Sequence, residues 1–273
     1  MGQDRRTSNR LLTGMVLGIA LGVLGAKMLG QIPRETWNRV LTRTSGAKER
    51  TRAVGKVIDG DTIVVEGDER IRYLGVDSPE IGEPFYEQAK GFQERVVLGS
   101  QVRIVPCKEE PQDSYGRTLA FVHKGTVDAG EQLLRQGLAR TLFIGPCGRA
   151  VAKAYSKVER GAFRAARGIW SAQDPREIGH GEAARYIGCL MTVTGRVAQV
   201  HEGPRAFHLN FGPDYRTDFT AVIYRRELTR LIKEGLYPMP EYRGKSVEVT
   251  GMLKEYNGPE IIVESVDQLV QVR

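Results

Sequence analysis

The chain has 273 residues, 41% apolar and 27% charged, proportions of a globular protein with room for two modest domains. Its formal charge of +7 is concentrated in the first 56 residues, where eleven Lys/Arg face three Asp/Glu; that net +8 leaves the rest of the chain near −1. A body coated in positive charge is thereby excluded, and any affinity for polyanions must come from local clusters. The three cysteines form no C-x-x-C pair, the four histidines form no H-E-x-x-H, and no phosphate-binding loop or dinucleotide glycine fingerprint occurs.

Residues 1–10 are a basic tail. Leu11 to Gly30 is an apolar run whose only charge is Lys27. As a helix it would reach ~30 Å, the hydrocarbon thickness of a bilayer. A cleaved signal peptide shares the basic start, but no A-x-A site follows and the run is long, so an uncleaved single-pass anchor is expected. Gly14, Gly18, Gly22, Ala26 and Gly30 recur every fourth residue, a small-residue face that suits helix self-association and hence a homo-oligomer. Residues 31–52 read as a basic tether. The arginines before Leu11 favour an extracytoplasmic body, although Arg34, Arg39, Arg43 and Lys48 follow the run closely.

Beyond the tether the apolar spacing alternates. Val54, Val57 and Ile58, then Ile63, Val64 and Val65, flank Asp59-Gly60-Asp61 as a hairpin. Arg70–Val76 reads as a third strand, Glu87–Leu98 as a helix, and Val102–Val105 and Thr118–Val122 as strands. Leu133, Leu134 and Leu138 mark a second helix; Ala150–Arg167 is a third, stopped at Gly168. Strands followed by segregated helices predict an α+β domain over residues 53–171. A polar linker is expected at 172–184. From 185 to 273 short runs predict strands at Leu190–Val200, Ala206–Phe211, Phe219–Tyr224, Ser246–Leu253 and Glu260–Glu264, with a helix at Arg226–Lys233. Five strands and one helix fit a small OB-like barrel, a two-sheet sandwich being the alternative.

Acids and arginines gather in Asp59-Gly60-Asp61-Thr62, Arg72, Asp77-Ser78-Pro79-Glu80 and Asp113-Ser114-Tyr115-Gly116-Arg117. Carboxylates suit a hard divalent cation such as calcium, and the guanidinium fork suits phosphate. Together they fit metal-assisted attack on a phosphodiester. Each also has a plain reading: Asp59 as a turn-former, Asp77 as a loop-former before Ser78-Pro79, Arg72 as a solvated strand face, Arg117 as a turn cation.

Several spaced motifs bear a stronger meaning together: Val57-Ile58-Asp59-Gly60-Asp61-Thr62, Arg72 through Glu80, Tyr115-Gly116-Arg117, Leu134-Arg135-Gln136-Gly137-Leu138-Ala139 and Gly168-Ile169-Trp170-Ser171. In this order they resemble the staphylococcal nuclease (thermonuclease-like) family. The resemblance implies a five-stranded OB-like barrel with three helices and a calcium-dependent hydrolysis of DNA, with RNA as a further substrate class. It implies calcium ligation by Asp61, Asp77 and the Ser78 carbonyl, water activation by Glu80, and phosphate binding by Arg72 and Arg117. Tyr115 and Phe143 match nucleotide-contacting positions. The family often has threonine at Ser78, lysine at Ser114 and tyrosine at Phe143. The rival reading is a catalytically silent nuclease-fold module that binds nucleic acid or protein at a membrane.

The resemblance also brings Cys107, ending a barrel strand, near Cys147, in the loop before the third helix, and so implies a Cys107–Cys147 disulfide with Cys189 unpaired. The stretch Leu209–Thr220 and Asn257-Gly258-Pro259-Glu260-Ile261 resembles the OB-type domain appended to some bacterial thermonuclease-like proteins. There Arg205, Phe207, Phe211, Tyr215 and Arg216 could stack on bases and grip phosphates, or the aromatics could be barrel core.

Overall fold

The computed structural model describes residues 49–143 and 145–272. The expected anchor at 11–30 lies outside the described residues. Among the described residues no helix is long and apolar enough to cross a membrane.

The first unit is a closed ring of strands. Strand β1 (Arg50–Val57) starts three residues earlier than expected, inside the presumed tether. It bends: Arg50–Ala53 pair with β5 (Gln101–Pro106), and Val54–Val57 pair with β2 (Thr62–Val65). Strand β2 pairs with β3 (Glu69–Tyr73), β3 runs parallel to β6 (Thr118–Lys124), and β6 returns to β5. Alternate residues fill the ring, with Ile63, Ile71, Val102, Ile104 and Ala120 fully buried. A short ladder not anticipated from sequence, β4 (Gly75–Asp77) with β8 (Arg140–Leu142), lies outside the ring. These runs are too short for periodicity to register.

Helix α1 (Tyr86–Val97) follows β4. Its Gln93 is fully buried and donates Nε2 to the Ala129 carbonyl (3.1 Å), tying α1 to the start of α2 (Ala129–Gln136). Strand β7 (Val127–Asp128) pairs with β6 and leads into α2, whose N-cap is Asp128: its Oδ1 accepts from the Glu131 amide (2.6 Å). The helix stops at Gly137, and the Leu138 amide reaches back to the Leu133 carbonyl (2.9 Å). Leu138 is therefore buried beside the helix rather than within it, which corrects the helical reading of that leucine. Helix α3 (Gly145–Arg164) starts earlier than expected. The Tyr155 hydroxyl of α3 donates to Asp128 (2.9 Å), and Glu159 accepts from both the amide and hydroxyl of Thr141 (2.8 Å each). A disulfide joins Cys107, just after β5, to Cys147 in the first turn of α3.

The second unit repeats the first unit's connectivity. Strand β10 (Leu190–Arg196) breaks at Val197-Ala198 and continues as β11 (Gln199–Glu202), so one predicted strand serves two sheets. Strand β11 pairs with β12 (Ala206–Asn210), which pairs with β13 (Thr220–Tyr224). Strand β13 runs parallel to β16 (Pro259–Ile262), β16 pairs with β15 (Lys254–Glu255), and β14 (Ser246–Met252), just before β15, returns to β10. With the two broken strands each counted once, the ring closes. Helix α4 (Arg225–Lys233) lies between the third and fourth strands of the ring, as α1 does in the first unit.

The predicted linker is built into this unit. Strand β9 (Glu177–Gly179) runs parallel to β10 because Ile178, 4% exposed, has a place in the second core. Strand β17 (Leu269–Gln271), also unpredicted, edges β14. The units meet along α3. The guanidinium of Arg160, largely buried, donates to Ser265 Oγ (2.7 Å) and pairs with Asp267 (3.4 Å), while Arg164 donates to the Asp267 carbonyl. Leu190 packs with Ala162, Phe163 and Trp170.

Two expectations follow. The disulfide closes a separation of 40 residues. Chain entropy assigns such a closure about 4 kcal/mol. Cys107→Ala/Cys147→Ala should lose stability of that order in urea unfolding, as should reduction by dithiothreitol; an unchanged midpoint in both would contradict it. Burial pushes the Asp128 carboxyl from 3.8 up to about 7, against the hydrogen bonds from Glu131 and Tyr155. Because the folded value is raised, this group's contribution to stability is full below pH 4 and lost as pH rises through 7. Asp128→Asn keeps the cap acceptor, cannot ionise, and should make that fall in stability shallower. A slope identical to that of the parent would refute the shift.

Candidate active site

The turn from β1 to β2 fixes the first acid. The Asp59 carboxylate accepts the Asp61 amide (3.0 Å) and the Ile58 amide bonds to the Thr62 carbonyl (2.9 Å), so Asp59 is a turn-former. Antiparallel register opposes Thr62 to Arg72, and the Tyr73 amide bonds to the Asp61 carbonyl (2.8 Å), which brings Asp61 against Arg72. Arg72 Nε lies 3.2 Å from Asp61 Oδ1 and Nη2 lies 2.8 Å from Asp77 Oδ1. Its Nη1 donates to the carbonyls of Tyr73 (2.9 Å) and Val76 (2.6 Å). One guanidinium thus joins two carboxylates and holds the turn between β3 and β4. It is no solvated strand residue.

Asp61 is 4% exposed. Burial pushes its carboxyl up to about 7; Arg72 pulls it down, Asp59 pushes it up, and the Ser78 amide, donating to Oδ2 (2.6 Å), pulls it down. Ser78 Oγ is buried beside the same carboxylate. A Cβ on Gly60 would stand 2.6 Å from the Ser78 Cβ, so glycine is what lets the two acidic loops close on one another. The buried Asp61 carboxylate, the Ser78 oxygens beside it and the half-exposed Asp77 form a hard-oxygen donor set, which fits a divalent cation.

Glu80 sits in the exposed loop after Ser78, its amide donating to the Glu83 carboxylate (2.8 Å). Arg117 immediately precedes β6. The parallel register opposes Arg72 to Leu119, and Arg117, two residues before Leu119, shares the Arg72 face. Asp113 cradles Arg117 through the amide (2.9 Å) and Nε (2.7 Å). Burial works against the charged form of Asp113, but hydrogen bonds from Arg117 and Tyr115 hold its carboxyl below the ordinary value. The positioning role of Asp113 had no signature beyond its place in the loop. Tyr115 is exposed, with Arg117 5.5 Å from its ring centroid. Phe143 is half-buried against the first core, so its ring is part of the packing. Arg140, opposite Asp77 in the β4–β8 register, stacks on Trp170 at 4.4 Å.

In the second unit Phe207 and Phe211 belong to the core, whereas Tyr215 is half-exposed beside Arg216 (5.5 Å). Asn257 and Gly258, both at positive φ, form the turn between β15 and β16.

The model of the family described as staphylococcal nuclease homologue matches residues 70–172, which covers Arg72 to Arg117 and begins just after Asp61. The thermonuclease of Staphylococcus hyicus is 36% identical over 136 residues, 46% of this chain and 79% of that protein. The thermonuclease of Staphylococcus intermedius is 39% identical over 102 residues, 34% of this chain and 60% of that protein. The SPbeta prophage-derived endonuclease YokF of Bacillus subtilis is 30% identical over 125 residues, 42% of each chain.

The close approach at Gly60 is testable. Gly60→Ala should force Ser78 away from Asp61, at about 1–3 kcal/mol of overpacking, and weaken binding of a divalent cation. Calorimetric calcium titration and urea unfolding measure both; unaltered values would mean the loops do not need this contact.

Proposed function

The chain belongs to the staphylococcal nuclease family and is a phosphodiester-cleaving nuclease; from that premise we propose a calcium-dependent enzyme that attacks DNA, and RNA as well, while tethered to a membrane by residues 11–30. The observation carrying the catalytic reading is the Arg72 guanidinium bonded to Asp61 and Asp77 on the face shared with Arg117. A silent binding module would have no need for this set of acids and arginines.

Asp61, Asp77 and the Ser78 carbonyl would hold the calcium. When bound, calcium lowers the pKa of a coordinated water and offsets charge on the phosphate. Glu80, exposed and unencumbered by a cationic partner among the described residues, orients the attacking water and takes its proton. The water oxygen bonds to phosphorus in line as the ester P–O bond on the opposite side breaks, and the departing ester oxygen takes a proton from solvent and leaves as the alcohol. Arg117, its guanidinium oriented by Asp113, meets the charge that builds on the phosphoryl oxygens, and Arg72 would join it once Asp61 and Asp77 hold the cation in place of the guanidinium. Tyr115, beside Arg117, is placed to contact the neighbouring nucleotide.

The disulfide suits an oxidising compartment and so supports an extracytoplasmic body. Protease applied to intact cells should reach residues 53–273. Protection until lysis would place the body inside.

Glu80→Gln and Arg117→Ala should each lower turnover about 10²–10³-fold with the fold intact. Rates within a few-fold of the parent, with unchanged circular dichroism, would remove these residues from the mechanism.

A further inference from the structure

Two open cavities of the second unit are lined by arginines without neutralising acids. The first, about 480 Å³, has Arg196, Arg243, His180 and Phe211 in its wall. The second, about 410 Å³, is lined by Arg205, Tyr224 and Arg226. Other arginines of this unit have carboxylate partners, Arg225 with Glu202 (2.6 Å) and Arg230 with Glu227 (2.8 Å) and Glu234 (2.7 Å), while Arg216 lies against the Tyr215 ring. In the first cavity, Arg196 Nε donates to the Gly244 carbonyl (2.9 Å), which fixes the guanidinium while its terminal nitrogens make no hydrogen bond among the described residues. Arg243 and Arg205 make no ion pair among the described residues; Arg226 pairs with Glu227 at 4.0 Å, a carboxylate that Lys153 and Arg230 each hold at 2.8 Å. Both cavities therefore carry an excess of positive charge.

Each also presents an aromatic ring. A Cβ on Gly195 would stand 2.7 Å from the His180 and Phe211 rings, so glycine allows both rings, 5.9 Å apart, to close over the strand. In the second cavity Arg226 stacks 5.1 Å from the Tyr224 ring centroid. Guanidinium groups bind phosphate, and rings stack on bases. A lipid headgroup or free phosphate would need no ring.

The cavities adjoin opposite ends of β12: Arg205 immediately precedes it and Phe211 immediately follows. That separation is about 20 Å along the strand. It accommodates an oligonucleotide of the roughly 4–16 nucleotides that barrels of this connectivity hold.

We propose that the second barrel is a single-strand-binding module. It grips the phosphates of one strand at Arg196/Arg243 and at Arg205/Arg226, with bases against the His180 and Tyr224 rings. This retains substrate beside the first barrel and rests on the nuclease reading of that barrel.

The test uses the full chain carrying Glu80→Gln, in EDTA, with a fluorescent single strand of about 12 nucleotides followed by anisotropy. Arg196→Ala/Arg243→Ala and Arg205→Ala/Arg226→Ala should each weaken binding about tenfold or more. Each should also reduce the slope of log K against log salt by about 1.4, two phosphates at about 0.7 each. Melting curves should match the parent's. In the Glu80 background the same variants should cleave a dinucleotide, too short to reach the second barrel, at the parental rate. Oligonucleotide affinity and salt slope unchanged in both variants would overturn the proposal. So would loss confined to binding of phosphatidylserine vesicles, which would assign the arginines to a membrane surface. A parent that fails to cleave the dinucleotide would count against the nuclease reading alone, and the anisotropy result would still decide the binding module.

Discussion

The guanidinium of Arg72 is the contact on which the first unit's chemistry depends. It bonds to Asp61 across the β2–β3 ladder, to Asp77 beyond the next turn, and to two carbonyls that shape that turn. Breaking a buried ion pair by removing one member leaves an uncompensated charge, which is far costlier than never having had the pair. Arg72 therefore cannot be treated as a substrate-binding residue attached to an indifferent scaffold. It organises the loops that would hold the cation, and it is available to phosphate only in so far as the carboxylates find another positive partner.

The ring geometry sets up that arrangement. Closure through the parallel β3–β6 pair puts Arg117 on the Arg72 face, and Asp113 fixes its guanidinium. The disulfide fastens the strand end from which the 107–118 segment departs to α3. Helix α3 then reaches Asp128 through Tyr155, Thr141 through Glu159, and the second unit through Arg160. One helix thus joins the site's scaffold to the second barrel. Both barrels share strand connectivity, with a helix inserted between third and fourth strands, yet they carry different surfaces: acids bonded to one buried arginine in the first, and cavities with arginines but no acids in their walls in the second.

Much of this was legible because its signals are local. The hairpin around Asp59-Gly60-Asp61 and the helices at Tyr86–Val97 and Gly145–Arg164 show their periods within a dozen residues or so. What escaped depends on tertiary pairing. Leu138 continues a helical spacing but falls after a glycine stop, and the chain turns it back into the core. The break at Val197-Ala198 has no turn residues to mark it, since it reflects a strand shared between sheets. Residues 172–184 are polar by composition, but the single buried Ile178 is enough to dock a strand. The grouping of Asp61, Arg72 and Asp77 was legible from motif order, whereas their sharing of one guanidinium needed the register of Thr62 opposite Arg72. Asp113 was one of the gathered acids, but its cradling of Arg117 had no distinguishing signal, because a turn acid that holds an arginine looks like any turn acid.

The central claim is that Arg72 exchanges its carboxylates for phosphate as a cation takes them over. Cation and substrate should then tighten one another reciprocally. Calcium titration of the Glu80→Gln protein, with and without a saturating oligonucleotide, measures this most directly. Calcium affinity should rise about 5-fold or more in the presence of oligonucleotide, within the usual range of such couplings. The enhancement should disappear when Arg72→Gln is added. Equal calcium affinity with and without oligonucleotide, in protein that binds both, would contradict it.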